Sequence, residues 1–364
     1  MNGNDIEGAS PSAGTVTGYW RWTNGVTNVD TNSFTIGFTA STGVLRFAPG
    51  HYLRTGVSDT VATLQNRLNQ IASEPYIAGL YVQRKWKILE PTKGNYDWTV
   101  FDAVQDMCAA ANKKYAFAVS ERQFNTTDPT QVLPQYLIDE DFWYSRTIAQ
   151  STAGATVWRT ACMDYSIALH RLILDRYGDD PNFVFLGSGE SVYGQNLPVD
   201  YSASALVTQI IRRMQNLRAY DPRLGNMWQT NYISPGNTAA IQQLTSYFIA
   251  AAADKGVYLN GGPDTLDQWS TQPGSIGYEI LDGTRGGVDY RGDYLVCNSF
   301  EDGGKGSTVA GSYDKAVNTY GAGVCLWTTT DSNFNFTNEI LPYIRTRQTN
   351  QTIPTQCVGV IEGT

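Results

Sequence analysis

The sequence predicts an α/β protein, a (β/α)8 TIM barrel preceded by a small N-terminal β appendage. Three observations carry that prediction. From Val44 onward, short apolar runs alternate with stretches of helical period, as strands and helices do around a parallel sheet. The runs number eight, the count that closes a barrel. Ahead of Val44 the rhythm differs: the chain is rich in Gly, Ser, Thr and Asn, and "SFTIGFTAS" places Phe34, Ile36 and Phe38 at the period of two that marks a half-buried strand. A doubly wound open sheet also alternates, but normally with fewer units and a phosphate-binding turn. "EDGGKGST" is not such a turn, because the first glycine of the motif falls on Ser299.

Residues 1–40 are therefore read as a flexible start with a short β appendage, 41–350 as the barrel and 351–364 as a C-terminal tail. Strand one is expected in "VLRFAPG", followed by a helix over 60–73 that begins after Ser58 and Asp59. "IAGLYVQRKW" supplies strand two, with a helix in 97–114, and "YAFAVSE" strand three. After a long insertion, the helix "TACMDYSIALHRLILDRYG" leads to strand four, "NFVFLGSGE". The helix over 203–220 precedes strand five in "GNMWQTNY", and a helix over 238–256 precedes strand six in "VYLNGG". A second long insertion comes before strand seven, "YLVCNSFED". A helix over 308–321, strand eight in "AGVCLWTTTD" and a last helix over 338–347 complete the series.

Composition narrows the function. A net charge of −8 with no Lys/Arg cluster argues against nucleic acid as partner, since that affinity rests on neutralising phosphates. No stretch approaches the ~18 apolar residues of a membrane helix, so no membrane partner is expected. The N-terminus has neither a basic start nor an apolar core, so no signal peptide is visible; a cytoplasmic protein, a viral one, or a secreted one with its leader removed all fit. The five cysteines are scattered without a CxxC pair and read as buried thiols. Only His51 and His170 are available as histidines, far apart in sequence, which argues against a His-rich metal site; no metal or organic cofactor is expected. His170, mid-helix, reads as structural. Oligomeric state is not legible.

The chemistry is thus expected to run on carboxylates. In these barrels active sites form at the C-terminal ends of the strands. Those ends offer His51, Arg84, Glu121, Glu190, Gln229, Asn231, Tyr232, Asn260, Glu301 and Trp327. Polar and aromatic groups on one rim suit a carbohydrate, whose hydroxyls need donors and acceptors and whose faces stack on rings. If Glu190 points into the barrel, alternation turns Ser188 and Leu186 inward too and sends Gly187 and Gly189 toward the helices. Glu190 and Glu301 then face each other across the mouth. A carboxyl separation of roughly 5 to 6 Å would suit a double displacement, in which one carboxyl protonates the leaving oxygen and the other attacks the anomeric carbon.

These features resemble the clan A retaining glycoside hydrolases, and the similarity extends over most of residues 44–347. "WKILEPTKGNYDWTVFD" looks like the W-x-x-LEP-x-x-G-x-YDW stretch of several families in that clan, and "LW" at 326–327 resembles the strand-eight tryptophan beneath the sugar. The resemblance implies Glu190 as acid/base, Glu301 as nucleophile and a supporting role for Trp86 and Glu90. It also implies a Trp327 ring face open to the cleft. The chain departs from the clan at Gly189, where Asn is usual. The expected function is cleavage of a β-linked oligo- or polysaccharide with retention. His51, Arg84, Glu121, Gln229, Asn231, Tyr232, Asn260 and Trp327 are the expected substrate contacts, and Glu121 is the rival catalytic carboxylate. The insertions at about 122–157 and 261–292 carry Tyr136, Trp143, Tyr144, Trp158 and Trp269, rings that suit either glycan stacking or loop packing. The alternative is a non-catalytic glycan-binding or virion-associated, phage-tail-like barrel.

Overall fold

Eight parallel strands close on themselves in this protein, each hydrogen-bonded to the next in chain order and the last to the first. The computed structural model describes residues 14–23, 28–38, 45–46, 50–75, 77–146, 151–189, 193, 197–229, 239–240, 243–244, 247–248, 257–260, 295–300, 308–314, 316, 322–328 and 334–347, with 14–23, 28–38, 257–260 and 295–300 described as backbone. The chain divides into two compact units, Met1–Gly43 and Val44–Thr364. In the first, β1 (Gly14–Thr23) and β2 (Asn28–Phe38) pair antiparallel.

The second unit is the barrel. Its strands are β3 (Gly50–Arg54), β4 (Ile77–Lys85), β5 (Lys114–Ser120), β9 (Phe183–Gly187), β10 (Gly225–Gln229), β11 (Val257–Asn260), β12 (Leu295–Phe300) and β13 (Ala322–Thr328). Between them run α1 (Val61–Ile71), α2 (Trp86–Leu89), α3 (Thr99–Ala110), α5 (Thr160–Tyr177), α6 (Ala203–Tyr220) and α7 (Val309–Asp314), and α8 (Leu341–Arg347) follows β13. The first insertion builds its own antiparallel sheet from β6 (Arg122–Phe124), β7 (Trp143–Arg146) and β8 (Thr152–Ala155), in the order β6-β8-β7, with the short α4 (Gln135–Asp139) alongside.

Strand one differs from expectation. The expected "VLRFAPG" ends where β3 begins, at Gly50, whose φ of +130° is a backbone conformation that glycine adopts and L side chains rarely do. The helices start as their residues dictate. Thr60 caps α1 by accepting from the Thr63 amide, and Ser202 caps α6 by accepting from the Ala205 amide.

Two packed layers follow from the alternation of side chains along the strands, broken in β9, where the register with β5 skips Val184 and both Val184 and Phe185 join the inner cluster. Tyr52, Tyr81, Ala116, Ala118, Val184, Phe185, Met227, Val324 and Leu326 fill the barrel interior as one cluster. The alanines of β5 make room for rings: Phe185 lies 5.8 Å from both Tyr52 and Tyr81. Leu53, Leu80, Val82, Phe117, Leu186, Trp228 and Trp327 belong instead to the larger cluster that joins strands to helices. Cys108, Cys162 and Cys325 are buried free thiols, as expected. No helix among the described residues is long and apolar enough to cross a membrane.

Candidate active site

The polar positions at the C-terminal ends of the strands continue the interior rows. Above Tyr52 comes Arg54, above Tyr81 comes Gln83, above Met227 comes Gln229 and above Leu326 comes Thr328. Arg54 donates from Nε to the Gln83 side-chain oxygen at 3.3 Å, joining the ends of the first two, neighbouring strands at the rim. Gln229 and Thr328 are buried. Arg54 is the rim residue that the sequence reading missed. Once strand one is moved to start at Gly50, the spacing Tyr52–Arg54 reveals it.

Several expected rim residues sit elsewhere. His51 follows the first residue of β3 rather than its end, and its alternation with Leu53 turns it toward the helix layer. Burial pushes its imidazole down to about 3, so the ring is neutral at ordinary pH and accepts at Nδ1. The donor is the Trp327 indole N–H, at 2.8 Å. Trp327 is 0% exposed and alternates with the interior Leu326, so its ring packs between barrel and helices and presents no face to a cleft. The expectation of an open ring face is therefore corrected. Tyr313 of α7 closes this group, with its ring 5.9 Å from that of His51.

Arg84 likewise alternates with Val82 on the outward side, and its Nη1 donates to the Asp59 carbonyl at 2.6 Å, tying down the loop after β3. Glu121 directly follows β5, 3% exposed, on the outward side shared by Phe117 and Val119. It accepts from the Ser166 hydroxyl of α5, while its backbone carbonyl takes the Ala155 amide at 2.9 Å. Both contacts fasten it behind the strands. Asn260, the last residue of β11, pairs in register with Gln229 and Cys297.

Glu190, Glu301, Asn231, Tyr232 and Trp269 lie outside the described residues, and with them the expected carboxyl separation. The strand leading to Glu190 is described, and it reverses the expected alternation. Leu186 packs toward the helices, whereas Gly187 faces the interior: a Cβ there would come within 2.5 Å of Tyr81 Oη and 2.9 Å of Met227 Cε. Ser188 is buried and its hydroxyl reaches the Met227 carbonyl at 3.2 Å. At Gly189 the nearest atom to an added Cβ is the Glu121 amide nitrogen at 3.9 Å, ordinary contact.

Glu90 behaves as a structural residue. One carboxylate oxygen accepts from the Trp86 indole at 2.9 Å and from Tyr136 Oη at 2.7 Å, and the other from the Gly94 amide at 2.9 Å. The W-x-x-LEP-x-x-G stretch thus closes a turn whose glycine adopts a φ of +74°. Of the insertion aromatics, Tyr144 and Trp158 are buried and pack against Tyr193, and Tyr136 is spent on Glu90, so loop packing accounts for these three. Among the described residues no cluster of His, Cys, Asp and Glu could hold a metal ion.

This geometry defines a closed (β/α)8 barrel with a polar mouth. The chain is similar in structure to GH5_18 from Streptomyces cattleya in complex with Manb1-4GlcNAc, with a TM-score of 0.57 and 10% identity, covering 84% of this chain and 83% of that one. The same protein in complex with GlcNAc gives a TM-score of 0.55 at 9% identity, over 85% and 82%. The catalytic domain of beta-amylase from Paenibacillus polymyxa gives 0.52 at 10% identity, over 81% of this chain and 97% of that one. At such identities the likeness is one of fold. No protein-family model and no curated protein matches the sequence.

Proposed function

We propose that the protein is a retaining glycosidase acting on a β-linked oligo- or polysaccharide, with Glu190 as acid/base and Glu301 as nucleophile. One observation carries the reading. In a closed barrel whose fold is that of carbohydrate-active neighbours, Glu190 comes three residues after the fourth strand and Glu301 directly after the seventh. Gln229, with Asn231, Tyr232 and Asn260, supplies sugar contacts on the intervening strands. Arg54 and Gln83 add donors and acceptors on the side of strands one and two. His51, Trp327, Arg84 and Glu121 act one layer out, shaping the strands that carry the mouth.

The chemistry needs Glu190 protonated when the leaving oxygen departs and Glu301 ionised when it attacks, and no cofactor. A panel of aryl β-glycosides and β-linked polysaccharides, followed by NMR from the first turnover, tests this. A product of the substrate's own anomeric configuration supports the reading. Inversion would replace the double displacement by a single one. Binding without any hydrolysis would leave the barrel a glycan-binding protein.

A further inference from the structure

Helix α6 buries an arginine where its pattern calls for a hydrophobe. Leu206, Val207, Ile210, Met214 and Leu217 form the face turned to the barrel, and Arg213 lies among them at 0% exposure. Its Nη2 donates to the Gly187 carbonyl at 3.4 Å, its guanidinium lies 5.0 Å from the centre of the Trp228 ring, and Nε and Nη1 find no acceptor among the described residues. Burying a guanidinium costs several kcal/mol unless other charges and dipoles offset it. Here Glu121 is the negative group that favours the charge, while burial pulls the guanidinium down to about 10, still cationic at neutral pH. His170 adds no competing charge: burial and Arg213 keep it neutral, and its Nδ1 lies 2.6 Å from the Ser166 carbonyl.

Everything around Arg213 converges on one short segment. Gly187 is pressed against Tyr81 on its inner side and held by Arg213 through its carbonyl, and Ser188 is tied to the carbonyl of Met227 on the next strand. We propose that Arg213 is a positioning residue that, from behind the barrel, fixes the end of β9 and so sets the direction in which the chain departs toward Glu190. The proposal rests on the reading of Glu190 as acid/base.

The test compares wild type with Arg213→Lys, which keeps the charge and loses the fork that spans Gly187 and the Trp228 ring. Two quantities are read. Amide exchange of the segment 186–193 should become at least about tenfold faster in the variant, while exchange in the strands β4 and β5 stays unchanged. A misplaced acid should also hurt substrates that need protonation. kcat/KM for an alkyl β-glycoside should fall by about tenfold or more, while that for a dinitrophenyl glycoside should stay within about threefold. A merely structural role would lower both substrates together. Unchanged exchange at 186–193, or equal loss on both substrates, overturns the proposal. If Arg213→Lys does not fold, Glu121→Gln, which removes the charge facing Arg213, should give the same pattern at smaller size. Glu190→Gln separates the two ideas. If it shows the leaving-group pattern and Arg213→Lys does not, the positioning fails and the acid/base stands. If it hydrolyses the alkyl glycoside normally, the acid/base assignment fails, and exchange at 186–193 alone decides whether Arg213 holds the strand end.

Discussion

At the residue scale, the three small residues before Glu190 have three different causes. Gly187 is glycine because Tyr81 Oη and Met227 Cε occupy the space a Cβ would take, whereas Ser188 uses its hydroxyl and a Cβ on Gly189 would meet nothing closer than 3.9 Å among the described residues. Gly187→Ala is therefore expected to cost about 1–3 kcal/mol by overpacking the barrel, and Gly189→Ala less than about 0.5 kcal/mol, both readable by urea unfolding. His51 makes a second prediction. Its imidazole titrates near 3 in the folded protein against 6.5 ordinarily, so between those values the unfolded chain holds the extra proton. Stability contributed by the neutral ring is full above 6.5 and is lost as pH falls toward 3. His170, lowered in the same direction, adds to that loss. His51→Gln should flatten the dependence of unfolding free energy on pH between 6 and 4.5 by up to about 1.4 kcal/mol per pH unit. An unchanged slope would mean that the His51 ring is solvated or charged.

At the element scale, the period of the apolar runs places seven of the eight strands and the helices over 60–73, 97–114, 160–178 and 203–220, because burial on both faces leaves a near-continuous apolar signature; most of the expected helix over 238–256 and the second half of that over 308–321 lie outside the described residues. Strand one lies later than its apolar run predicts, because "VLRFAPG" is as apolar as Gly50–Arg54 and only the glycine that opens β3 separates them. The shift takes His51 off the rim and brings Arg54 onto it. Alternation at the ends of β5, β9 and β13 was harder to read, since Glu121, Leu186 and Trp327 look alike in sequence whether they face the mouth or the helices. The LEP stretch was legible because its residues are local to one turn. Glu90→Ala removes the acceptor for Trp86, Tyr136 and the Gly94 amide, leaving a buried donor unpaired. It should cost about 2–4 kcal/mol by denaturant unfolding, given that buried hydrogen bonds to charged groups are worth about 1.5–3 kcal/mol each and are not additive. A loss below about 0.5 kcal/mol would detach Glu90 from the loop.

At the scale of the whole molecule, a closed barrel converts eight distant stretches of sequence into one ring of strand ends. On the function proposed above, glutamates more than a hundred residues apart serve one mouth, while Arg213, Glu121, His51 and Trp327 pack in the helix layer behind the strands. The central claim is the division of labour between Glu190 and Glu301, and azide tests it most directly. Glu301→Ala removes the nucleophile and leaves space for a small anion beside the anomeric carbon, with Glu190 still able to protonate the leaving oxygen. Azide should restore turnover and give a glycosyl azide of inverted configuration. In Glu190→Ala the intermediate still forms from substrates with good leaving groups, and azide should intercept it to give the retained configuration. NMR of the two products decides. Opposite configurations in that order are the predicted result, the reverse order would exchange the roles, and full activity in both variants without azide would contradict the account.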